Sequence, residues 1–545
     1  MDEMFSLLYP TGMSTDSIYS TVSMQAEIVD LGLDALFHEI SNGPWGYRTK
    51  QPHPLMYFTS DIQIITYRSN IVEDLYRQEA IYLLLYELLP LLEDLRDLQQ
   101  RDRWSDDDTA ASLYTVSEIE LYLSCVERLY HGLCSTQPAS QGLQRLSQLI
   151  AERYESPTFQ SLRVDTRKLS FSVRNIKSIT VGINLDPQLY PCEAGIISVN
   201  DQLFRSGNLI DRWLRLDMKD DGFQSLAPLM ASGKERSSEQ NLALSRAINS
   251  ALNTILKGSV REWRNCIKMY AVTSSNFLVG LAPEIRFLLS SVSWMKQLAL
   301  KGLPLCRPQV AENEESSVID GLYHPLLAIQ AAEKQANGAS SVVKNNITFD
   351  ENGSIYILTG PNQGGKTVFM QAVGIAQLLY QLGLFVPAYS ATIRPVDRVL
   401  VHAQSQARDH QMKGRFGEEC SRLQQVFGKL TCNSLLLMDE TFSSTSASEA
   451  AAIAGEVLLA LRVSGCRVIF ATHLHELTDQ IDKLNAVPLE GGSRIDTLTA
   501  EIDTASGQRS YVLRRSRPQG NSYARDIAQK YGVTYEQLVR VMNNN

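Results

Sequence analysis

Apolar residues recur at helical spacing in the first part of the chain. From about residue 59 to 98, and again from about 112 to 154, they occupy every third or fourth position, which indicates amphipathic helices. The polar stretch DRWSDDDTAAS between them is typical of a loop with a solvated acidic surface. Helical spacing resumes from about residue 242 to 300. The residues that carry the pattern are Ile71, Leu75, Leu84, Leu88, Leu91, Leu95 and Leu98, then Leu252, Ile255 and Leu256.

The pattern changes to strict alternation after about Leu162. Ile179, Val181 and Ile183 occupy alternate positions, as in a half-buried strand. This predicts a small β-containing module between two helical arms. The same stretch holds a basic cluster that could contact phosphates or form an ordinary solvated face, and the two interpretations weigh equally. The basic residues are Arg163, Arg167, Lys168, Arg174 and Lys177.

Residues 342–478 alternate short apolar strands with helices, which predicts an α/β domain with a mainly parallel sheet. Within it, Gly360 is followed after four residues by Gly365, Lys366 and Thr367, the P-loop pattern. An apolar strand, residues 354–358, precedes the loop. The helix that follows carries Met370, Val373, Ile375 and Leu378. Loop amides and the positive helix end would then face a phosphate, with Lys366 neutralising its charge and Thr367 binding Mg²⁺.

Two later strands end in polar residues. SLLLMDE is an apolar strand ending in Asp439, which would bind the metal, and Glu440, which would orient the attacking water. RVIFATH ends in Thr472 and His473, whose imidazole could contact a γ-phosphate, although a lone histidine after a strand is more often structural. Parallel strands end at the edge where α/β sheets bind ligands, so the three features predict one nucleotide site.

Composition narrows the class of protein. A chain of 545 residues predicts several domains, and 44% hydrophobic with 20% charged residues is usual for a globular protein. We expect no membrane helix and no secretion signal, and therefore a cytoplasmic location. Eight scattered cysteines predict buried thiols. A net charge of −9 is not a broad basic footprint, so any DNA contact should be local.

The motifs TGPNQGGKT, LLLMDE, TSASEAAAIA and FATHLHELT together resemble, in order and spacing, the ATPase motifs of the DNA mismatch repair MutS family. GLYHPLL, upstream, belongs to the same resemblance. DIQIITYRSNIVEDL and GINLDPQLYPCEAG more weakly resemble the lever and clamp of that family, and YVLRRSRPQGNSYARDIAQKYGV resembles its C-terminal helical segment. The resemblance is sharp over about residues 320–535 and fainter over 55–310.

The resemblance implies a multidomain fold: a mostly α-helical lever with a small β-containing clamp insert, then an α/β P-loop NTPase domain of ABC-like type and a short C-terminal helical segment. It predicts a first helical arm at 1–160, the clamp-like insert at 161–240, a second arm at 241–315, the ATPase domain at 316–500 and a helical dimerisation segment at 501–545.

The resemblance also implies the site and its cofactors, ATP and Mg²⁺. Catalysis would fall to Glu440, His473 and Lys366, and the metal to Thr367 and Asp439. The nucleotide-binding positions would be Gly360, Pro361, Asn362, Gln363, Gly364, Gly365, Lys366, Thr367 and Val368.

Three departures from the family pattern bear on assembly. Family members form dimers in which a neighbouring subunit completes each ATP site. GRFGEECSRL, with Phe416 and Glu419, resembles the segment that reaches the neighbouring subunit's site. Gly414 stands where a serine is common in that segment. The loop TFSSTSASEA replaces a glycine-rich basic one, although Ser444, Thr445 and Ser446 could still line the interface. We expect no counterpart of the mismatch-reading, connector or nuclease-like domains. Phe37 and Glu39, which resemble the mismatch reader's pair, are interpreted as ordinary helix residues.

Two functions are therefore expected. The leading hypothesis is a homodimeric Mg²⁺-dependent ATPase that clamps duplex or branched DNA in mismatch repair-related or recombination-related work, with other repair proteins as further partners and no membrane. The alternative is an ATP-switched structural or interaction protein that acts on RNA, a ribonucleoprotein or a protein partner. A third possibility, nucleotide binding with poor hydrolysis, is disfavoured by the presence of Lys366, Asp439 and Glu440 together.

Overall fold

The computed structural model forms two compact units. One comprises Met1–Asp2, Leu83–Gln137 and Arg145–Ala282, and the other Glu3–Tyr82, Pro138–Gln144 and Pro283–Asn545. The structure describes residues 5–13, 28–29, 32–41, 53–100, 108–174, 178–189, 191–200, 202, 205–206, 224–225, 267, 270, 276–311, 316–335, 342–361, 364–403, 415–442, 444–489, 492–502, 509–517 and 532–543.

The described elements before residue 301 are long helices and two short sheets. The helices are α1 Asp34–Ser41, α2 Ile62–Arg77, α3 Glu79–Gln100, α4 Asp108–Thr136, α5 Gln141–Glu155, α6 Pro157–Arg174 and α7 Asn276–Leu300, with a short 3-10 helix at Pro54–Tyr57. Strand β1 Ser178–Leu185 pairs antiparallel with β2 Pro191–Asn200, and β3 Arg205–Ser206 lies parallel to β4 Gln224–Ser225. Helices thus occupy the predicted stretches 59–98 and 112–154, and α7 occupies the end of the third, 242–300. Leu252, Ile255 and Leu256 lie outside the described residues.

The β module begins later than predicted. The expected boundary at residue 161 falls inside α6, and the first strand begins at Ser178. Phe159, Leu162 and Thr166 are all buried, so a helical face continues past the predicted boundary. In the same helix Arg163 and Arg167 both pair with Glu127, at 2.7 and 3.1 Å, so two of the five basic residues share one carboxylate within the protein.

Helix α7 bears on the prediction that the chain has no membrane-spanning helix. By length and composition alone this one described helix could cross a membrane, with a mean hydropathy of 1.2 over its most apolar window. The sequence pattern did not single it out, because Ser290, Ser291 and Ser293 interrupt the apolar run. The window is 67% buried in the protein, as in an ordinary core helix, so the signal for a membrane segment is weak.

The elements after residue 301 build an α/β fold. The strands are β5 Gln309–Val310, β6 Ser317–Leu322, β7 Asn345–Phe349, β8 Ile355–Thr359, β9 Ser390–Ile393, β10 Arg398–His402, β11 Ser434–Asp439, β12 Arg467–Ala471, β13 Ile495–Ile502 and β14 Arg509–Arg515. The helices are α8 Pro325–Gln335, α9 Lys366–Gln381, α10 Arg415–Phe427, α11 Ala447–Ser464, α12 His475–Asp479, α13 Ile481–Ala486 and α14 Tyr535–Asn543.

A six-stranded, mostly parallel sheet is the centre of this region. Its order is β10-β11-β12-β8-β13-β14, and only β14 runs antiparallel to its neighbour. Strand β8 is buried at all five positions, as expected where helices cover both faces of a parallel sheet. A second sheet has the order β5-β9-β6-β7. The α/β class predicted from the alternation of strands and helices is confirmed.

The predicted C-terminal boundary is misplaced. Residue 500 lies within β13, and the segment expected to be helical from 501 continues into β14, which completes the sheet. The alternation of apolar and polar residues in RSYVLRR is that of a strand. Only α14 fits the helical expectation among the described residues of this segment.

Two further predictions concern Phe37 and the cysteines. Phe37 is buried in α1, which fits its interpretation as a helix residue. Six cysteines in the described ranges are free thiols, but Cys134 and Cys432 are exposed rather than buried.

Candidate nucleotide site

The P-loop joins β8 to α9 through backbone conformations that require glycine. Gly360 has φ +143°, and a Cβ added there would lie 2.6 Å from the Cβ of Ala500. Gly365 caps α9 with φ +88°. Side chains are excluded at both positions by strain or by contact, and Gly365 leads directly into the N-terminus of α9, where anions bind.

Lys366 is folded back over this loop. Its Nζ donates to the carbonyl oxygens of Gly360 and Pro361, at 3.0 and 3.2 Å, and the residue is buried. Burial lowers the pKa of the ammonium, while Glu440 and Asp439 oppose that shift. The structure thus places the cation inside the loop, where it would meet phosphate oxygens.

Asp439, at the end of β11, joins the second motif to the P-loop. Its Oδ2 accepts a hydrogen bond from the Thr367 hydroxyl at 2.9 Å. Burial raises the pKa of the carboxyl, partly offset by that hydrogen bond. Its Oδ1 is buried with no hydrogen-bond partner among the described residues. A carboxylate oxygen with unused lone pairs beside a hydroxyl is a donor set that fits Mg²⁺.

A cavity of about 510 Å³ opens beside these groups. One wall consists of residues 364–368, which include Val368, together with Glu440. The rest of the lining, the apolar wall, is mostly apolar and consists of Leu322, Tyr323, His324, Leu327, Val342, Val343, Asn345, Phe369, Ala372 and Tyr511. A volume of this order suits a small organic ligand, and the polar wall beside the apolar one matches a molecule with a charged end and a flat ring.

The sequence motifs did not predict the apolar wall. The Asn345 side chain fixes it, because its amide donates to the Tyr511 carbonyl at 3.1 Å and accepts from the Leu513 amide at 2.7 Å. Tyr511 has φ +57° and lies where the pairing of β13 and β14 shifts register. The sequence carried a local signal for His324, because it directly precedes Pro325, and proline is favoured at the first position of a helix. In the structure, His324 Nδ1 accepts a hydrogen bond from Leu327 N at 3.4 Å, at the start of α8.

The predicted site residues do not all converge. Lys366, Thr367, Asp439 and Glu440 lie together at one edge of the sheet. His473 follows β12 but is exposed and does not line the cavity. Asn362 and Gln363 lie outside the described residues, so their roles stay predictions.

Phe416 and Glu419 are engaged within their own chain. Phe416 packs against the hydrophobic core, with its ring 6.2 Å from that of Phe442. Glu419 is buried, and its carboxylate accepts from Phe442 N at 2.6 Å and from the Ser444 hydroxyl at 2.7 Å. The expected reach of these two residues toward a second subunit therefore does not fit their contacts, and Gly414 lies outside the described residues.

Comparison with known proteins identifies the chain from two separate regions. Residues 356–524 match the family model described as MutS domain V, and residues 60–300 match that of the MutS2 N-terminal domain. The chain belongs to the MutS family. The recognition made from the motifs is confirmed, and the front half of this MutS-family chain is similar in particular to the N-terminal domain of MutS2.

Three relatives are similar to part of this MutS-family chain, and each is named DNA mismatch repair protein MutS. The protein of Chlorobium phaeobacteroides is 32% identical over 236 residues, which are 43% of this chain and 26% of the relative. That of Prochlorococcus marinus is 41% identical over 139 residues, 25% and 15%. That of Lactobacillus delbrueckii subsp. bulgaricus is 32% identical over 175 residues, 32% and 20%. The chain thus spans about a quarter or less of the length of these relatives.

Proposed function

We propose that this MutS-family chain is a Mg²⁺-dependent ATPase. The observation that carries the proposal is the hydrogen bond between Thr367 and Asp439, which ties the P-loop to the acidic strand end at the cavity. Lys366 and Glu440 flank that contact. A cation for phosphate, two metal ligands and a carboxylate for water are the parts that phosphoryl transfer to water needs.

Each residue has a distinct role in the proposed reaction. Loop amides and Lys366 would hold the triphosphate. Thr367 and Asp439 would hold Mg²⁺, which when bound neutralises charge on the β- and γ-phosphates. Glu440 would accept a hydrogen bond from a water and orient it toward the γ-phosphate. The apolar wall of the cavity, which includes Val342, would receive the base.

The first test is steady-state ATP hydrolysis by the purified chain with and without Mg²⁺. We expect Glu440→Gln to lower kcat by about 10²–10⁴-fold, the usual range for loss of a general base, while the affinity for ATP stays near wild type. Glu456→Gln, an exposed glutamate on α11, is the matched control and should hydrolyse normally. A Glu440→Gln protein as active as wild type would contradict the role of this carboxylate.

We further propose that the ATPase acts as a homodimer that clamps duplex or branched DNA. The three relatives' printed name supports a role in DNA mismatch repair, and the long helices α3 and α4 suit a lever. ATP and DNA should then change each other's affinity by the same factor, since coupling between two binding sites is reciprocal. Hydrolysis should be measured with matched and mismatched duplex, a four-way junction, single-stranded DNA and structured RNA. His473 as a catalytic residue and the cytoplasmic location stay predictions.

A specific observation favours the second candidate, an ATP-switched protein that acts on RNA, a ribonucleoprotein or a protein partner. Arg163 and Arg167 share the carboxylate of Glu127, which compensates part of the charge of the basic cluster, in a chain of net charge −9. Tight, salt-dependent DNA binding requires many uncompensated cations. If no DNA changes a robust Glu440-dependent rate at moderate salt, the clamp hypothesis fails and this alternative stands.

A further inference from the structure

The turn that carries Glu440 is strained and buried at once. Glu440 has φ +49° and Phe442 has φ +67°, in the left-handed region that L residues avoid because Cβ approaches the following carbonyl oxygen. Phe442 is 1% exposed, and the intervening Thr441 is 2% exposed. Such a backbone persists only where its surroundings hold it in place.

Glu419 on α10 makes two side-chain hydrogen bonds that stabilise this turn. Its two carboxylate oxygens accept hydrogen bonds from two different positions of the turn, the Phe442 amide at 2.6 Å and the Ser444 hydroxyl at 2.7 Å. Glu419 is 7% exposed and its bond to the Phe442 amide is buried, so water competes little for that bond. The carboxylate therefore fixes the backbone on the C-terminal side of Glu440.

A second contact reaches the turn from His402, the last residue of β10. The His402 ring lies between α10 and the turn, with Nε2 3.3 Å from the Glu419 carbonyl oxygen and Nδ1 3.0 Å from the Thr441 hydroxyl. On the other side, Glu440 N donates to the Ala471 carbonyl at 2.9 Å. The position of Glu440 is thus set between β12 and α10.

We infer that Glu419 is a positioning residue for ATP hydrolysis: its carboxylate holds Phe442 and Ser444 so that Glu440 faces the γ-phosphate and its water. This inference rests on the proposed ATPase function. Glu419 does not line the cavity, so its removal should affect the rate of hydrolysis and leave nucleotide affinity unchanged. A shift of about 1 Å in a reacting group can cost about 100-fold in rate.

The test measures kcat, and separately the affinity for a fluorescent ATP analogue, in Glu419→Ala and Glu419→Gln. Alanine leaves the buried Phe442 amide without an acceptor. Glutamine keeps both contacts, because its carbonyl accepts from Phe442 N and its amide donates to the Ser444 oxygen. We expect kcat to fall about 10–100-fold in Glu419→Ala and to stay within about 3-fold of wild type in Glu419→Gln, with affinity within about 2-fold in both.

Several results would overturn the inference. One is a wild-type kcat in Glu419→Ala, and another is a Glu419→Gln protein as slow as the alanine variant. A fall in affinity and melting temperature that accompanies the fall in kcat would assign Glu419 a structural role instead. If Glu419→Ala does not fold, Ser444→Ala replaces it, with an expected loss of about 3–10-fold in kcat at unchanged affinity; an unchanged kcat would refute the inference.

The same experiment separates this inference from the function on which it rests. A wild-type chain that hydrolyses no ATP overturns the proposed function and the inference with it. An active wild type with a normal Glu419→Ala variant overturns the inference alone. Glu456→Ala, on the exposed face of α11, controls for the loss of one carboxylate and should match wild type.

Discussion

The two loops that meet at the nucleotide cavity obtain left-handed backbone geometry by different means. The P-loop uses glycine, with Gly360 at φ +143° and Gly365 at φ +88°. The acidic turn uses Glu440 and Phe442, at φ +49° and +67°. Glycine adopts this geometry at little steric cost, whereas other residues lose about 1–2 kcal/mol each.

The difference follows from what each loop presents to the ligand. The P-loop presents backbone amides, so it needs no side chain at its sharp positions. The acidic turn must present the carboxylate of Glu440, so glycine cannot serve there. Its strain is offset by the ring of Phe442, buried in the hydrophobic core, and by the carboxylate of Glu419. The first geometry is local and the second depends on tertiary contacts.

Phe442 should give the largest effect. Phe442→Ala removes a fully buried ring and should lower the free energy of unfolding by about 4 kcal/mol. Phe442→Gly loses the same ring but relieves the left-handed strain, so it should be about 0.5–1 kcal/mol more stable than the alanine variant. Urea unfolding measures both. Ala452→Gly, at an exposed position in α11, is the control and should show the usual opposite order, with glycine less stable. A Phe442→Gly variant less stable than Phe442→Ala would contradict the backbone strain assigned to this position.

Gly360→Ala should give the next largest effect. The added methyl group meets Ala500 at 2.6 Å and takes a φ that L residues rarely adopt, so we expect a loss of about 3 kcal/mol and much weaker ATP-analogue binding. Ala500→Gly in the same protein should recover part of the loss. Gly428→Ala is the matched control, since its nearest contact is 3.5 Å and the substitution should be nearly neutral. Normal binding by Gly360→Ala would contradict the assigned strain.

His324, on the cavity wall, provides a pH-dependent test. Burial lowers the pKa of its imidazole from 6.5 to about 4. Below pH 6.5 the unfolded chain binds a proton that the folded chain binds only near pH 4, so stability is lost as the pH falls through this window. Between pH 7 and 5 the contribution is at most about 2 kcal/mol. In His324→Asn, which can still cap α8, unfolding should depend less on pH, and an unchanged pH dependence would refute the assignment.

Thr367 should give the smallest effect. Thr367→Ala removes the hydroxyl that donates to Asp439 and should raise the Mg²⁺ concentration for half-maximal ATPase rate by about 10-fold. Thr367→Ser keeps the hydroxyl and should stay near wild type. Mg²⁺ titration of the ATPase rate distinguishes the two, and equal Mg²⁺ requirements in both variants would argue against Thr367 as a ligand.

The parts of this protein that depend on local spacing could be predicted from the amino-acid sequence. The helical periodicity before residue 155, the parallel α/β class and the P-loop follow from apolar patterns and from glycines that only one backbone geometry explains. Lys366, Thr367, Asp439 and Glu440 were placed for the same reason, since parallel strands end at one edge of the sheet. The boundaries near residues 161 and 500 were misplaced because each pattern continues past them.

The distant residues that complete the site could not be predicted from local patterns and were identified only in the folded protein. Tyr511 reaches the cavity because Asn345 pairs with its strand, and no local pattern links the two. Glu419 turned out to hold its own chain rather than to face outward, because the strained turn beyond Glu440 has donors that a buried carboxylate satisfies. Such contacts join segments far apart in the chain, and their physical cause, the cost of leaving a buried polar group unpaired, arises only once the chain has folded.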